Sequence, residues 1–203
     1  PESLSLLSRL SSQNGIFDFD GMAYEGSGPF FFRDKNIAPP HNLFINLTEA
    51  AKKVKEIQPA KSFAFRKEFF SFSPSAPEQG EAATTVEINF FDRPFRVRYE
   101  YDPALHAYKR FLGGLPHIDA STGSQLFASN VIIQFVKYWP VDSEGRLKYQ
   151  LTGEGEAWLF RDSKLIKGKW KNTGFFDAEG KPFLLRPGAT WITLIDSPGK
   201  IGL

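Results

Sequence analysis

The sequence predicts an α+β protein of 203 residues: the remainder of a small mixed α/β domain (1–73), a linker (74–83) and a compact antiparallel all-β domain (84–203). Three observations carry this. A single strong amphipathic helix pattern runs from Asn46 to Pro59. The stretch Pro74-Ser75-Ala76-Pro77-Glu78-Gln79-Gly80-Glu81 loses apolar periodicity and gains Pro and Ser, as linkers do. Beyond it the period changes from 3.6 to 2.

Taken in order, Leu4, Leu6, Leu7 and Leu10 suggest a short helix stopped at Asn14-Gly15. Asn42 to Ile45 and Phe63 to Phe65 read as short strands. Asn46 is a good N-cap, and Glu49 stands where a capping box needs its return acceptor. Leu47, Ala50, Ala51, Val54 and Ile57 then share one face, with Lys52, Lys53, Lys55 and Glu56 toward water. The same Asn46-Leu47-Thr48 is a formal glycosylation sequon, but at a helix start it reads as a cap.

In the β region Val86, Ile88 and Phe90 alternate with polar residues. So do Phe95, Val97, Tyr99 and Tyr101, and Leu147, Tyr149 and Leu151; each set predicts a half-buried strand. Asp142-Ser143-Glu144-Gly145 and Asp177-Ala178-Glu179-Gly180 share one turn form, with Gly in the left-handed position. Arg161-Asp162-Ser163-Lys164 makes a third tight turn. Ser129 to Trp139 is a long run rich in β-branched and aromatic residues and predicts a central strand, with Val131, Ile133 and Phe135 in the core.

Composition narrows function by exclusion. The formal charge of +2 is spread along the chain and gives no clear nucleic-acid signature. With no cysteine, disulfides, thiolate catalysis and Cys-zinc sites are excluded, and three scattered His predict no metal site. No apolar run approaches the roughly 18 residues that span a bilayer. Phenylalanine supplies 21 residues, and Phe30–Phe32 with Phe69–Phe72 cannot all point to one strand face, so part of that surface is expected to meet another domain or line a groove.

Motifs that could carry chemistry are few. Ile16-Phe17-Asp18-Phe19-Asp20-Gly21 resembles the nucleophile motif of haloacid-dehalogenase phosphatases, but the turn-like Ser12-Gln13-Asn14-Gly15 precedes it instead of a buried strand. Arg33 and Asp34 with His41 and Asn42 bracket a Pro-rich loop, where Arg33, His41 and Asn42 could hold an anion or anchor the loop's backbone. His117 and Asp119, two apart on a polar turn, suit either a base with its orienter or backbone caps. His106 reads as a surface residue. Trp139, Trp158, Trp170 and Trp191 fall on strands and read as core, with one or two rimming a groove. The Ser197-to-Lys200 S-x-x-K comes too late in the chain for a catalytic core, and no motif points to a cofactor.

Several separated motifs resemble the YerB family of bacterial lipoproteins, whose domains are labelled as of unknown function. They are Pro116-His117-Ile118-Asp119-Ala120-Ser121-Thr122-Gly123 leading into Ser129–Trp139, Gly168-Lys169-Trp170, and Arg186-Pro187-Gly188-Ala189-Thr190-Trp191-Ile192. Gly28 to Asp34 and Ala38 to Leu43 are similar to the same family's N-terminal domain. The resemblance implies a cell-membrane, lipid-anchored protein on the extracytoplasmic face. On that reading the chain, which begins Pro1-Glu2-Ser3, lacks a signal peptide, lipobox and part of the first domain. It also brings a helicase-interacting label, which an extracytoplasmic protein does not readily satisfy. The expectation is a binding or scaffolding module for a cell-envelope ligand or protein partner. The alternative is a cell-wall glycan or peptide hydrolase or transferase with Arg33, His41, His117 and Asp119 between the two domains.

Overall fold

In the computed structural model the described residues are Arg9, 30–57, 70–90, 93–172 and 174–203. The expectations for Leu4–Leu10, Asp18 and Asp20, Phe63–Phe65 and Phe69 lie outside them, apart from a helical Arg9. The chain divides into two compact units, Pro1–Phe65 and Arg66–Leu203.

In the first unit β1 (Phe31–Arg33) pairs antiparallel with β2 (Leu43–Ile45), followed by α1 (Leu47–Ile57). Asn46 caps α1: its Oδ1 accepts from the N–H of Thr48 (3.1 Å) and of Glu49 (3.2 Å). The capping box is not completed. The Asn46 N–H donates instead to Phe30 O (2.6 Å), which ties the helix start to β1, and Glu49 pairs with Lys52. Ala50 is buried and Val54 half-buried, whereas Leu47, at the first helical position, is exposed.

The second unit is predominantly β. It opens with β3 (Ser71–Phe72), β4 (Glu81–Ala82), β5 (Thr85–Ile88), β6 (Val97–Asp102), β7 (Ala107–Leu112), β8 (Leu115–Pro116) and β9 (Phe127–Ala128). It continues with β10 (Asn130–Phe135), β11 (Tyr138–Pro140), β12 (Leu147–Tyr149), β13 (Glu154–Arg161) and β14 (Lys164–Lys171). The last elements are β15 (Gly174–Asp177), β16 (Leu184–Leu185), β17 (Thr190–Ile195) and β18 (Ile201–Gly202). One sheet runs β15-β14-β13-β10-β17, with β4 added to β14; the other runs β18-β5-β6-β7-β8, with β9 added to β7.

The sheets share a core. Val86, Ile88, Val97, Tyr99 and Tyr108 from one meet Val131, Ile133, Phe135, Trp158 and Phe160 from the other. The far side of β10 and β13 carries a second core of Ile132, Ala157 and Leu159 with Trp170, Phe175, Phe183 and Leu185. β10 is therefore buried on both faces, which is why Val131, Ile132 and Ile133 follow one another without polar alternation. Most pairings are antiparallel, but β10 pairs parallel with β17 over six residues and β3 pairs parallel with β16, so the domain is not purely antiparallel.

Other departures have local causes. Phe95 belongs to a 3₁₀ turn (Arg93–Phe95) before β6 and is exposed. Leu147 and Tyr149 form β12, which pairs with β11 alone; a two-stranded ribbon outside both sheets has no apolar layer to cover it, and Leu151 just beyond is also exposed. Residues 74–83, read as a linker, are fastened to the second unit. β4 pairs with Lys164 and Leu165, and the Lys164 ammonium donates to Pro77 O (2.7 Å) and Glu78 O (2.8 Å). Prolines and serines here mark a strap that lacks periodicity because side chains of other strands hold its carbonyls.

The turns follow their sequences. Asp142 Oδ1 accepts from Glu144 N–H and Asp177 Oδ1 from Glu179 N–H, while Gly145 and Gly180 take φ of +76° and +82°.

Candidate functional site

Within the first unit Arg33 and Asn42 meet: Arg33 Nη1 donates to Asn42 Oδ1 at 2.6 Å, and Asn42 Nδ2 donates to Asp34 O at 3.3 Å. The register of β1 and β2 places them there, since the Asp34 N–H donates to Asn42 O just past the ladder. Asn42 is buried and His41 is exposed. Asp34 turns the loop by accepting from the Asn36 N–H.

Within the second unit His117 and Asp119 go separate ways. Asp119 Oδ1 accepts from Ser121 N–H (2.9 Å), Thr122 N–H (2.8 Å) and the Thr122 hydroxyl (3.1 Å). The Thr122 and Ser121 donors hold its carboxyl below the ordinary aspartate value. His117 instead turns its Nδ1 to Arg110 Nη1. Burial first, then the Arg110 charge, hold the imidazole below its ordinary value, so it accepts from Arg110 as the neutral ring.

Arg110 is the centre of this cluster. It lies on β7 and is buried; its Nε donates to the Tyr99 hydroxyl (3.2 Å), and its guanidinium lies over the Trp191 ring, 4.2 Å from the centroid. Burial pushes the Tyr99 phenol up to about 12 against the opposing effect of Arg110, so Tyr99 stays neutral. The loop closes around Arg110: its C=O accepts from the His117 N–H (3.0 Å) and from Gln125 Nε2 (2.9 Å).

A second buried arginine organises the opposite face of the β10 sheet. Arg161, 1% exposed, donates to Leu184 O (2.6 Å), Ser73 O (3.2 Å) and Ser75 O (2.5 Å), and pairs with Asp162 at 2.9 Å. Asp162 also accepts from Arg186 Nη1 at 3.0 Å. Beside this knot a groove of about 870 Å³ runs between the 71–81 strap and the 177–184 hairpin. Glu78, Glu81, Asp177 and Glu179 line it together with Lys167 and Lys181. Its floor includes Ile166 and Lys167, the part of β14 that neither β4 nor β15 pairs.

Sequence reasoning named His117 but missed Arg110, Tyr99, Arg161 and Asp162. A signal was present: Arg110 shares its strand face with Tyr108 and Leu112, and Arg161 shares one with Ala157 and Leu159, each a cation at an inward position. Of the tryptophans, Trp158 and Trp170 are core, Trp191 is half-buried under Arg110, and Trp139 is exposed. His106 is exposed, 3.7 Å from Asp162. Ser197 caps the 3₁₀ turn at Pro198–Lys200, while Lys200 pairs with Asp196, so the S-x-x-K residues have structural partners. Among the described residues no acidic or His cluster suits a metal ion, and no helix is long and apolar enough to cross a membrane.

Most residues of the two cores, and the whole Arg110 cluster, lie in a segment that matches a known family. Residues 86–192 match the family described as "Protein of unknown function (DUF3048) C-terminal domain". The chain belongs to this DUF3048 family. Among solved structures it resembles the YerB protein from Bacillus subtilis with a TM-score of 0.75 at 23% identity. The likeness covers 96% of this chain and 66% of the YerB chain, so the chain spans just under two thirds of that relative. It shows a shared fold. No curated protein matches. The DUF3048 match takes in His117, Asp119, Asn130, Arg161, Arg186 and Trp191.

Proposed function

We propose that this DUF3048 chain is the binding or scaffolding part of an extracytoplasmic, membrane-anchored bacterial lipoprotein, and that the groove beside the 71–81 strap receives its partner. The groove carries the reading. It is large enough for several residues of a polypeptide or a short envelope fragment. Its lining mixes both charge signs, which suits a zwitterionic or peptide ligand better than a polyanion. Its walls are pre-formed, because Arg161 and Lys164 hold the strap by its carbonyls, so little ordering entropy is lost on binding.

Of the residues considered for a hydrolase or transferase, Arg33 is engaged with Asn42, His117 with Arg110 and Asp119 with its own turn, while His41 is exposed.

Amide NMR of the labelled chain, titrated with peptidoglycan fragments, a neutral oligosaccharide and an extended mixed-charge peptide, tests the proposal. Saturable shifts are expected at residues 71–81, Lys167 and 177–184, and Leu184→Arg should abolish them while leaving the rest of the spectrum unchanged. Unmoved groove amides with every probe overturn the groove as the site. New products in the fragment mixture by mass spectrometry instead establish the hydrolase alternative.

A further inference from the structure

Arg110 poses a problem that the groove does not address. It is 7% exposed, yet it makes no ion pair among the described residues. The carboxylates on the adjoining strands are taken: Asp102 pairs with Lys109 at 2.6 Å and Glu100 with Arg98 at 2.5 Å. Asp119, in the following loop, is held by its own turn. Tyr99, the one acidic group bonded to Arg110, is a neutral phenol. A guanidinium this deep is costly unless an anion meets it.

The donors are also under-used. Of the five N–H groups of a guanidinium, Nε serves Tyr99 and one on Nη1 serves His117, whereas among the described residues Nη2 has no hydrogen-bond partner. Among the described residues no buried side-chain nitrogen lacks a partner, so Nη2 reaches solvent. Because His117 accepts at Nδ1, its ring proton is on Nε2, which gives a second N–H donor in the same cluster. Trp191 covers the guanidinium face and fixes its plane.

We propose that Arg110 and His117, backed by Trp191, form a binding site for an oxyanion group, a carboxylate or a phosphate. Arg110 Nη2 and His117 Nε2 donate to the ligand oxygens, and Trp191 shields the cation from water on one side. This site is independent of the strap groove, since none of its residues lines that groove.

The test follows the Arg110 Nε–H and His117 ring resonances at constant ionic strength. The chain is titrated with inorganic phosphate, with acetate, with neutral acetamide, and with phosphatidylglycerol vesicles. Saturable shifts with phosphate or acetate and none with acetamide are expected. Phosphate without vesicles assigns a free phosphate, vesicles as well as phosphate assign a lipid headgroup, and acetate alone assigns a carboxylate. Arg110→Gln should weaken binding by about tenfold or more, as losing a charge-assisted hydrogen bond does. His117→Gln, at a half-buried position that tolerates an amide, should fold and weaken binding severalfold, which keeps the test open if Arg110→Gln does not fold. No saturable shift in the wild type, or the same affinity in wild type and His117→Gln, overturns the site and leaves Arg110 held by Tyr99, His117 and Trp191 alone.

Discussion

Asn130 and Arg186 stand 56 residues apart and are joined by two hydrogen bonds, one in each direction: Arg186 N–H donates to Asn130 Oδ1 at 2.7 Å, and Asn130 Nδ2 donates to Arg186 O at 2.8 Å. The Asn130 side chain thus pairs with the backbone as a neighbouring strand would. Nδ2 also donates to the Thr190 hydroxyl at 3.0 Å. This clasp, built on the fully buried Asn130, stands at the start of the parallel β10–β17 ladder, where Asn130 lies opposite Thr190.

Asn130→Ala should therefore cost about 1–3 kcal/mol, because it removes a fully buried amide and leaves the part-buried N–H and C=O of Arg186 without it. Asn130→Asp keeps the acceptor and loses the donor, so it should fall between the two. Urea unfolding monitored by tryptophan fluorescence checks the order, and an Asn130→Ala midpoint equal to wild type would refute the clasp.

Arg161→Met should destabilise by about 3–5 kcal/mol, since it strips a buried Asp162 of one partner and frees the strap carbonyls. Hydrogen exchange should rise first around residues 71–75, where Ser73 N–H otherwise donates to Leu185 O. Adding Asp162→Asn should recover part of the loss. Uniform exchange across the unit would argue against a role in holding the strap.

Core and ribbon should separate cleanly. Ile133, fully buried between the sheets, should lose about 2–5 kcal/mol on replacement with Ala. Leu147→Ala, on the exposed β11–β12 ribbon, should stay within about 0.5 kcal/mol. Chemical denaturation of both variants decides, and comparable losses would mean that the ribbon is covered in solution.

Alkali should weaken the fold through its buried phenols. Burial raises Tyr99 from 10.0 to about 12, and burial, with Tyr101 and Asp162 nearby, raises Tyr108 further. A folded value above the unfolded one favours the protonated, folded form. Its contribution is whole below pH 10 and, for Tyr99, is lost as pH rises from 10 to about 12. Tyr99→Phe should remove that share of the pH dependence between those values. Tyrosine absorbance followed beside unfolding checks it: a Tyr99 that ionises near 10 in the folded chain contradicts the burial argument.

How much was legible beforehand follows from range. The helix cap at Asn46, the two Asp-Gly turns and the inward faces of β5 and β10 are local, set by spacing and by side chains that bond within a few residues, and the sequence alone determined them. The motifs that carry kinship were legible for the same reason, as contiguous runs.

Tertiary structure decided the rest. That β17 joins β10 in parallel depends on Asn130 reaching Arg186, and that 74–83 is a strap depends on Arg161 and Lys164 reaching carbonyls more than 80 residues away. His117 was legible as a polar loop residue, but its partner Arg110 lies on another strand, and the Trp191 under Arg110 comes from the other sheet. Periodicity reports which side of a strand faces inward. It carries no information about which inward cation will meet which ring, hydroxyl or carbonyl, because those pairings exist only once the two sheets have closed on each other.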